Sequence, residues 1–311
     1  MSDSPPDAGA AGELRFVAVL GPTASGKTAL ALALAERAGG EIVACDSQQV
    51  YIGMDIGTAK PTRDERARVA HHALDLVRPD EAFHAARWAA VARAAIADIV
   101  ARGRLPIVVG GTGLYYRALV AGLFDAPPPD ASIRARHREA AAADGVEALH
   151  ARLTGIDPDA AAAIRPRDLV RISRALEIYE QTGVPISELR RRAAPPTGLT
   201  PTVLLLDPPL DALRVRIAAR VDAMIAAGFL DEVRALRAAG YGPTLKPLQA
   251  LGYAQLGAVV DGTASLADAV ADTVRATNAY ARRQRTWFRA QTAARRFETE
   301  PHPDDALAVL A

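Results

Sequence analysis

The run Gly21, Pro22, Thr23, Ala24, Ser25, Gly26, Lys27 and Thr28 places a lysine and a hydroxyl directly behind a glycine turn, in the pattern G-x-x-x-x-G-K-S/T. That pattern suits a di- or triphosphate. Backbone N–H groups of the turn and of a following helix converge on one anion, and the helix dipole adds partial positive charge. Lys27 supplies a point charge for the terminal phosphate, and the Thr28 hydroxyl is a ligand for magnesium. An apolar run precedes the motif and a helical pattern, TALALALAERA, follows it, which is the context a phosphate loop requires. The motif does not say whether the phosphates belong to a nucleotide, because this fold hosts many functions.

A second candidate is Asp46, where the apolar run EIVAC ends. In open α/β sheets the carboxyl ends of the strands surround the ligand. A carboxylate there can accept a proton or hold magnesium through water. Ser47, Gln48 and Gln49 follow and offer hydrogen bonds suited to a base edge. A plain turn-capping role for Asp46 competes with this reading. A third glycine turn, Gly110 to Leu119 (GGTGLYYRAL), would point the Thr112 hydroxyl into the same cleft, with Tyr115, Tyr116 or Arg117 along it. The alternative is a tight turn with core tyrosines. Between Arg282 and Arg296 there are six arginines and no acid, with Trp287 and Phe288 among them. Arginine interleaved with aromatics suits phosphate contact and base stacking. The basic residues are nearly all arginine, however, with lysine only at Lys27, Lys60 and Lys246. On residues alone a solvated helix face with Trp287 in the core is therefore favoured. His71 and His72 are adjacent, so they do not face one metal, and surface or turn roles are expected. Cys45 reads as a buried small apolar residue.

These groups need elements to hold them. Residues 14–20 (LRFVAVL), 41–45 (EIVAC) and 105–109 (LPIVV) read as buried strands, and 85–102 as an alanine-rich helix with Gly103 as its cap. Strands alternating with helices give an α/β fold: a P-loop NTPase-like core with a parallel sheet flanked by helices. The pattern changes at 126–130 (APPPD) and turns mainly helical until 190–201, with proline at both ends, so an inserted helical domain is expected. Residues 202–206 (TVLLL) then rejoin the sheet. A long helix starts at Ser265, where S-L-A-D resembles a capping box, and runs through Trp287. The division expected is a loose tail over 1–12, a core over 13–124 and 201–311, and an insertion over 125–200.

Composition narrows the class. The chain has 311 residues, a formal net charge of +1 and one cysteine. No segment reaches the roughly 18 consecutive apolar residues of a membrane helix. The first dozen residues lack a basic start and an apolar stretch, so they do not read as a secretion signal. The expectation is a cytoplasmic protein without an intramolecular disulfide, and nothing signals more than a monomer.

In order and content these segments resemble the tRNA dimethylallyltransferase family, also called tRNA isopentenylpyrophosphate transferases. DSQQVYIGMDIGTAKP (Asp46 to Pro61), GGTGLYYRALVAGL, RPRDLVRISRALEIYEQTG (Arg165 to Gly183), LGYAQL (Leu251 to Leu256) and RRQRTWFR (Arg282 to Arg289) are similar to its later signatures. The resemblance spans roughly residues 14 to 290. It departs at His84, where serine is expected, and at Arg282, where lysine is commoner. No zinc-ligand cluster follows the core, which resembles the bacterial form.

The resemblance implies transfer of a dimethylallyl group from dimethylallyl diphosphate to N6 of adenosine 37 in the tRNA anticodon stem-loop, with magnesium. Lys27, Thr28 and the loop would neutralise the departing diphosphate, Asp46 would accept the N6 proton, and Thr112 would align the reactants. The base would be flipped out to reach the cleft. The tRNA contacts implied are Asp46 to Gln49 and Thr112; Arg134; Val170, Arg171, Ile172, Ser173 and Arg174; Gln249, Ala250, Leu251, Gly252, Tyr253 and Ala254; and Arg282, Arg283, Gln284, Arg285, Thr286, Trp287, Phe288 and Arg289. A prenyltransferase acting on free adenine nucleotides, a P-loop kinase of a small metabolite and a nucleotide-gated RNA-binding switch share the phosphate loop. The helical insert and the RRQRTWFR segment favour tRNA over free nucleotides, the later motifs speak against the kinase, and a switch would not need an acid and a hydroxyl converging on the phosphate.

Overall fold

A computed structural model describes residues 14–124, 126–193, 198–291 and 293–309. The tail expected over 1–12 lies outside them. The chain divides into two compact units, residues 1–120 with 197–311, and residues 121–196.

The first unit is built on one six-stranded parallel sheet of order β3-β2-β4-β1-β5-β6. Its strands are β1 (Leu14–Leu20), β2 (Glu41–Cys45), β3 (His71–His72), β4 (Pro106–Gly110), β5 (Leu199–Leu206) and β6 (Arg295–Phe297). Alternation along β1 sends Val17 and Val19 to one core and Phe16, Ala18 and Leu20 to another, so both faces must be covered. On the first face, α1 (Lys27–Ala38) buries Leu30, Ala31 and Leu34 beside Ile42 and Ile107. On the other, α3 (Ala85–Ala101) buries Trp88, Ala92, Ile96 and Ile99. The Trp88 indole donates to the Ala44 carbonyl at 2.9 Å. His84 stands where the resemblance expects serine and still caps α3, its ring nitrogen accepting from the Arg87 amide at 3.4 Å. Short helices α2 (Arg63–Arg68) and α4 (Gly113–Val120) complete this half.

Three strands depart from the sequence reading. β5 begins at Leu199 rather than near 202 and includes Pro201, which pairs with Phe16 on β1. Proline is tolerated because the neighbour on the other side, β6, starts only opposite Leu204. β3 and β6 are too short to carry a period of their own and exist through pairing with β2 and β5.

After β5 come α10 (Leu210–Ala226), α11 (Phe229–Ala238), α12 (Tyr253–Val260), the 26-residue α13 (Leu266–Gln291) and α14 (Pro303–Leu307). Ser265 does start α13, its hydroxyl accepting from the Asp268 amide at 3.1 Å. No helix among the described residues is long and apolar enough to cross a membrane.

Among the described residues the second unit contains five helices, α5 (Ala131–Asp144), α6 (Val146–Ile156), α7 (Pro158–Ala163), α8 (Leu169–Thr182) and α9 (Ile186–Arg192). Its core holds Leu149, Leu153, Ile172, Leu176 and Ile178. Glu177 is buried within it, and burial alone would raise its pKa. Hydrogen bonds from Arg134 and Arg174, at 3.0 and 2.7 Å, outweigh that and hold the carboxylate ionised.

Candidate active site

The first helix starts where β1 runs out. Gly21 has φ 151°, and a Cβ there would collide with the Leu206 carbonyl oxygen of β5, so the loop leaves the sheet only if residue 21 lacks a side chain. Ala24 and Gly26 are left-handed, with φ 61° and 95°. Such alternation turns successive N–H groups inward as an anion nest at the head of α1. Lys27 folds back over it and donates to the Pro22 carbonyl at 2.5 Å.

β2 delivers Asp46 to the same level. One carboxylate oxygen accepts the Gln48 and Gln49 amides at 2.8 and 3.4 Å. One oxygen fixes the bend, and Asp46 also lines the cavity. β4 ends at Gly110, whose close packing on the Cys45 carbonyl leaves no room for a Cβ. Two residues on, Thr112 accepts the Ser47 amide on its hydroxyl at 3.1 Å, which locks the third turn to the second.

Together these segments line a cavity of about 420 Å³. Its lining combines the polar Thr23, Lys27, Thr28, Asp46 and Arg220 with the apolar Ile217, Val221, Met224, Phe229 and Leu251. An anion with a short hydrocarbon attached matches that mixed lining. Burial and the charge of Arg220 pull the Lys27 ammonium down to about 7, against a smaller upward pull from Asp46. Below that pH Lys27 is charged in the free protein, and an arriving polyanion extends the charged range upward. Of the three lysines, the resonance of ¹³C-methylated Lys27 should titrate near 7 and move to higher pH with inorganic diphosphate. An ordinary lysine midpoint in the free protein would contradict this.

Arg220 escaped the sequence reading. It lies on α10 among the buried Leu213, Ile217 and Val221, and reaches Thr23 Oγ1 at 3.5 Å. An arginine inside the apolar stripe of a helix is the signal that marks it. Tyr280 of α13 also lines the cavity. His71 corrects an expectation. It is half-buried in the cavity wall rather than on the surface, with Nδ1 2.7 Å from the Val69 carbonyl and Nε2 buried without a partner. His72 pairs with buried Glu41 at 2.7 Å.

The segment after Asp46 wraps the cavity and is held from outside. Lys60 is buried and bonds the Tyr51 carbonyl, Asp55 and Asp75 at 2.6–2.8 Å. Gln49 donates to the Thr58 and Ala59 carbonyls at 3.2 and 3.1 Å, so its side chain holds this loop. Glu232 of α11 accepts the amides of Asp55, Ile56 and Gly57 at 2.7–3.2 Å and the Tyr253 hydroxyl at 2.6 Å. Replacing Glu232 with alanine strands these donors and should cost at least about 2 kcal/mol of stability. Urea denaturation measures it, and an unchanged midpoint would refute it.

Several residues expected to touch RNA are turned inward. Ile172 is fully buried, and Ser173 bonds His137 at 2.9 Å. Arg134 and Arg174 are spent on Glu177, whereas Val170, at 80 % exposed, and Arg171 face solvent. On α13, Phe288 is 1 % exposed, and Trp287 packs against it and Gly113. Arg285 and Arg289 both bind Asp207, at 2.5 and 2.7 Å. Gln284 is buried, while Arg282, Arg283 and Thr286 are exposed. Gly252 and Tyr253 are buried against Phe229; Gln249 and Ala254 are exposed, and Ala250 lines the cavity. Tyr115 and Tyr116 are core residues, Tyr115 stacked on Trp88. The cause is common: a helix shows RNA only one face, and the consecutive residues of a motif must divide between that face and the core.

Among the described residues no group of three or more His, Cys, Asp or Glu is arranged to hold a metal.

Comparison with known proteins gives a consistent result. A family model described as IPP transferase matches residues 49–291, and one described as isopentenyl transferase matches residues 14–76. A protein of Anaeromyxobacter sp. (strain K) named tRNA dimethylallyltransferase is 52% identical over 295 residues, covering 95% of this chain and 96% of its own. The crystal structure of a tRNA isopentenylpyrophosphate transferase from Bacillus halodurans superposes with a TM-score of 0.67 at 39% identity, covering 95% of this chain and 94% of the other. A eukaryotic dimethylallyltransferase acting on tRNA superposes at 0.69 with 28% identity, covering 88% and 69%.

Proposed function

The chain belongs to the tRNA dimethylallyltransferase family, and from that premise we propose that it transfers the dimethylallyl group of dimethylallyl diphosphate to N6 of adenosine 37 in tRNA, in the cytoplasm, as a monomer. One observation carries the reading: a phosphate loop, a carboxylate and apolar side chains share a single cavity.

An exocyclic adenine amine is a weak nucleophile, because its lone pair is delocalised into the ring. The donor must therefore ionise readily. The N6 lone pair attacks the allylic C1, the C1–O bond breaks, and the diphosphate departs with that electron pair. The loop amides, Lys27 and Arg220 meet the developing negative charge in a preorganised site. Asp46 takes the proton released from N6 and returns it to solvent. Thr112, fixed to Ser47, sets the side of the cavity on which the amine must lie. Ile217, Val221 and Met224 suit the hydrocarbon and exclude water from a carbon that water would otherwise capture.

A magnesium ion fits the donor set. It keeps most of its water, takes oxygens from a diphosphate and asks one or two ligands of the protein, which Thr28 and, through water, Asp46 would supply. When bound it offsets charge on the leaving diphosphate.

The base must leave the anticodon stack to enter such a cavity. Exposed Val170 and Arg171 in the helical insertion, and Arg282, Arg283 and Thr286 on α13, are the side chains free to grip the RNA. The test sets an unmodified anticodon stem-loop against AMP as acceptor. Prenylation of the stem-loop with AMP inert supports the reading; prenylation of AMP alone identifies a free-nucleotide enzyme instead.

A further inference from the structure

Gln284 sits in the middle of the most arginine-rich stretch of the chain yet is 7 % exposed. Its side-chain oxygen accepts the Thr23 amide of the phosphate loop at 2.9 Å, and its side-chain nitrogen donates to the Gly111 carbonyl at 2.8 Å. Both ends are satisfied, and the opposite amide orientation would set donor against donor and acceptor against acceptor. A side chain added at Gly111 would collide with this amide, so the turn and Gln284 are fitted to each other.

The two partners belong to different halves of the reaction. Thr23 opens the nest in which Ala24 and Gly26 take left-handed conformations, and it is also the residue that Arg220 reaches. Gly111 precedes Thr112, whose amide donates to the Cys45 carbonyl at 3.3 Å and whose hydroxyl accepts from Ser47, next to Asp46. One turn earlier on α13, Tyr280 lines the cavity, as does Arg283 beside Gln284. A single primary amide therefore joins the diphosphate cradle to the turn that carries Thr112, with Asp46 one hydrogen bond further on.

We propose that Gln284 is a positioning residue of the transfer reaction: it holds the phosphate loop and the Gly110–Thr112 turn in register as one unit. This rests on the reading of the site given above. Gln284 lines the cavity, but both of its polar ends are committed to backbone groups, so it acts through those segments rather than on a reacting atom, and its burial keeps it from RNA. A bond at each end fixes distance as well as orientation, and displacement of a reactant by about 1 Å is enough to cost about two orders of magnitude in rate.

The experiment compares the full-length protein with Gln284→Met, which fills the same volume without hydrogen bonds, and Gln284→Glu, which keeps the acceptor and loses the donor until it is protonated. Three quantities are measured: the dissociation constant of inorganic diphosphate, that of an unmodified tRNA, and turnover split into kcat and KM for each substrate. For Gln284→Met, diphosphate binding should weaken about tenfold and kcat should fall about a hundredfold, with tRNA affinity within twofold. For Gln284→Glu, the ratio of its diphosphate affinity to that of the wild type should recover as pH falls from 8 to 5.5, because the neutral acid again donates to Gly111. The inference is overturned if tRNA affinity drops while diphosphate binding is unchanged, since Gln284 is then an RNA contact. A loss of thermal stability with both ligands bound normally and kcat unaltered also overturns it, leaving a purely structural role. Because diphosphate binding needs no prenyl chemistry, these outcomes stay separate from failure of the functional reading, which would appear as a wild-type protein that does not consume the prenyl donor.

Discussion

Asp46→Asn is expected to abolish turnover while sparing the fold and the donor site. The substitution is unusually clean here. One carboxylate oxygen of Asp46 caps its own turn by accepting the Gln48 and Gln49 amides, and an asparagine carbonyl accepts the same two bonds. What disappears is the capacity to take a proton and one negative charge facing Lys27 and Arg220. General-base catalysis is worth about 10²–10⁴ in rate, so kcat should fall by about that range with thermal stability nearly unchanged. Diphosphate should bind at least as tightly, because removing the acid leaves two cations facing the anion. Single-turnover rates and equilibrium binding of inorganic diphosphate measure the two halves. A variant that binds less diphosphate and turns over normally would assign Asp46 to leaving-group binding and remove it as base.

Lys27→Ala should give the opposite profile. Lys27 caps the nest and bonds Pro22, and its ammonium stands beside Arg220 in a site withdrawn from water. Loss of a preorganised charge on a leaving group costs about 10²–10³ in rate. Part of that should appear as weaker diphosphate binding, since the charge acts on both bound donor and transition state. Arg220→Ala should act in the same direction through its contact with Thr23. Initial rates over a matrix of donor and tRNA concentrations separate the effects: KM for the donor rises, and KM for tRNA stays.

Much of this site was legible in the residues, for physical reasons. The phosphate loop announces itself because glycine at 21 and a lysine at the head of a helix answer to sterics and charge alone. Asp46 could be placed from the position of one strand end. Both strands that carry this machinery, Leu14–Leu20 and Glu41–Cys45, fall where their apolar runs put them. What the residues do not reveal is which members of a motif face outward. Gln284, Phe288, Ile172 and Ser173 belong to segments that resemble RNA-contacting motifs, yet their side chains are buried. Arg285 and Arg289 look like phosphate ligands until Asp207, far away in sequence, is brought beneath them by β5. Arg220 and His71 are the converse. Arg220 is marked only by its place in the apolar stripe of α10 and His71 by no local pattern, and it is the packing of α10 and the edge strand β3 against the rest that makes them part of the cavity.

His71 shows how such a residue acquires meaning. Its Nδ1 is engaged with the Val69 carbonyl, and burial lowers its pKa, so the neutral ring donates through Nδ1 and leaves Nε2 an acceptor buried without a partner.

The most direct test of the central claim is to incubate the purified protein with magnesium, dimethylallyl diphosphate and tRNA lacking the modification, digest the RNA and identify nucleosides by mass. The account predicts N6-dimethylallyl-adenosine from position 37, formed in step with diphosphate release. An unchanged adenosine 37, with the prenyl donor intact and the γ-phosphate of added ATP hydrolysed or transferred, would contradict it.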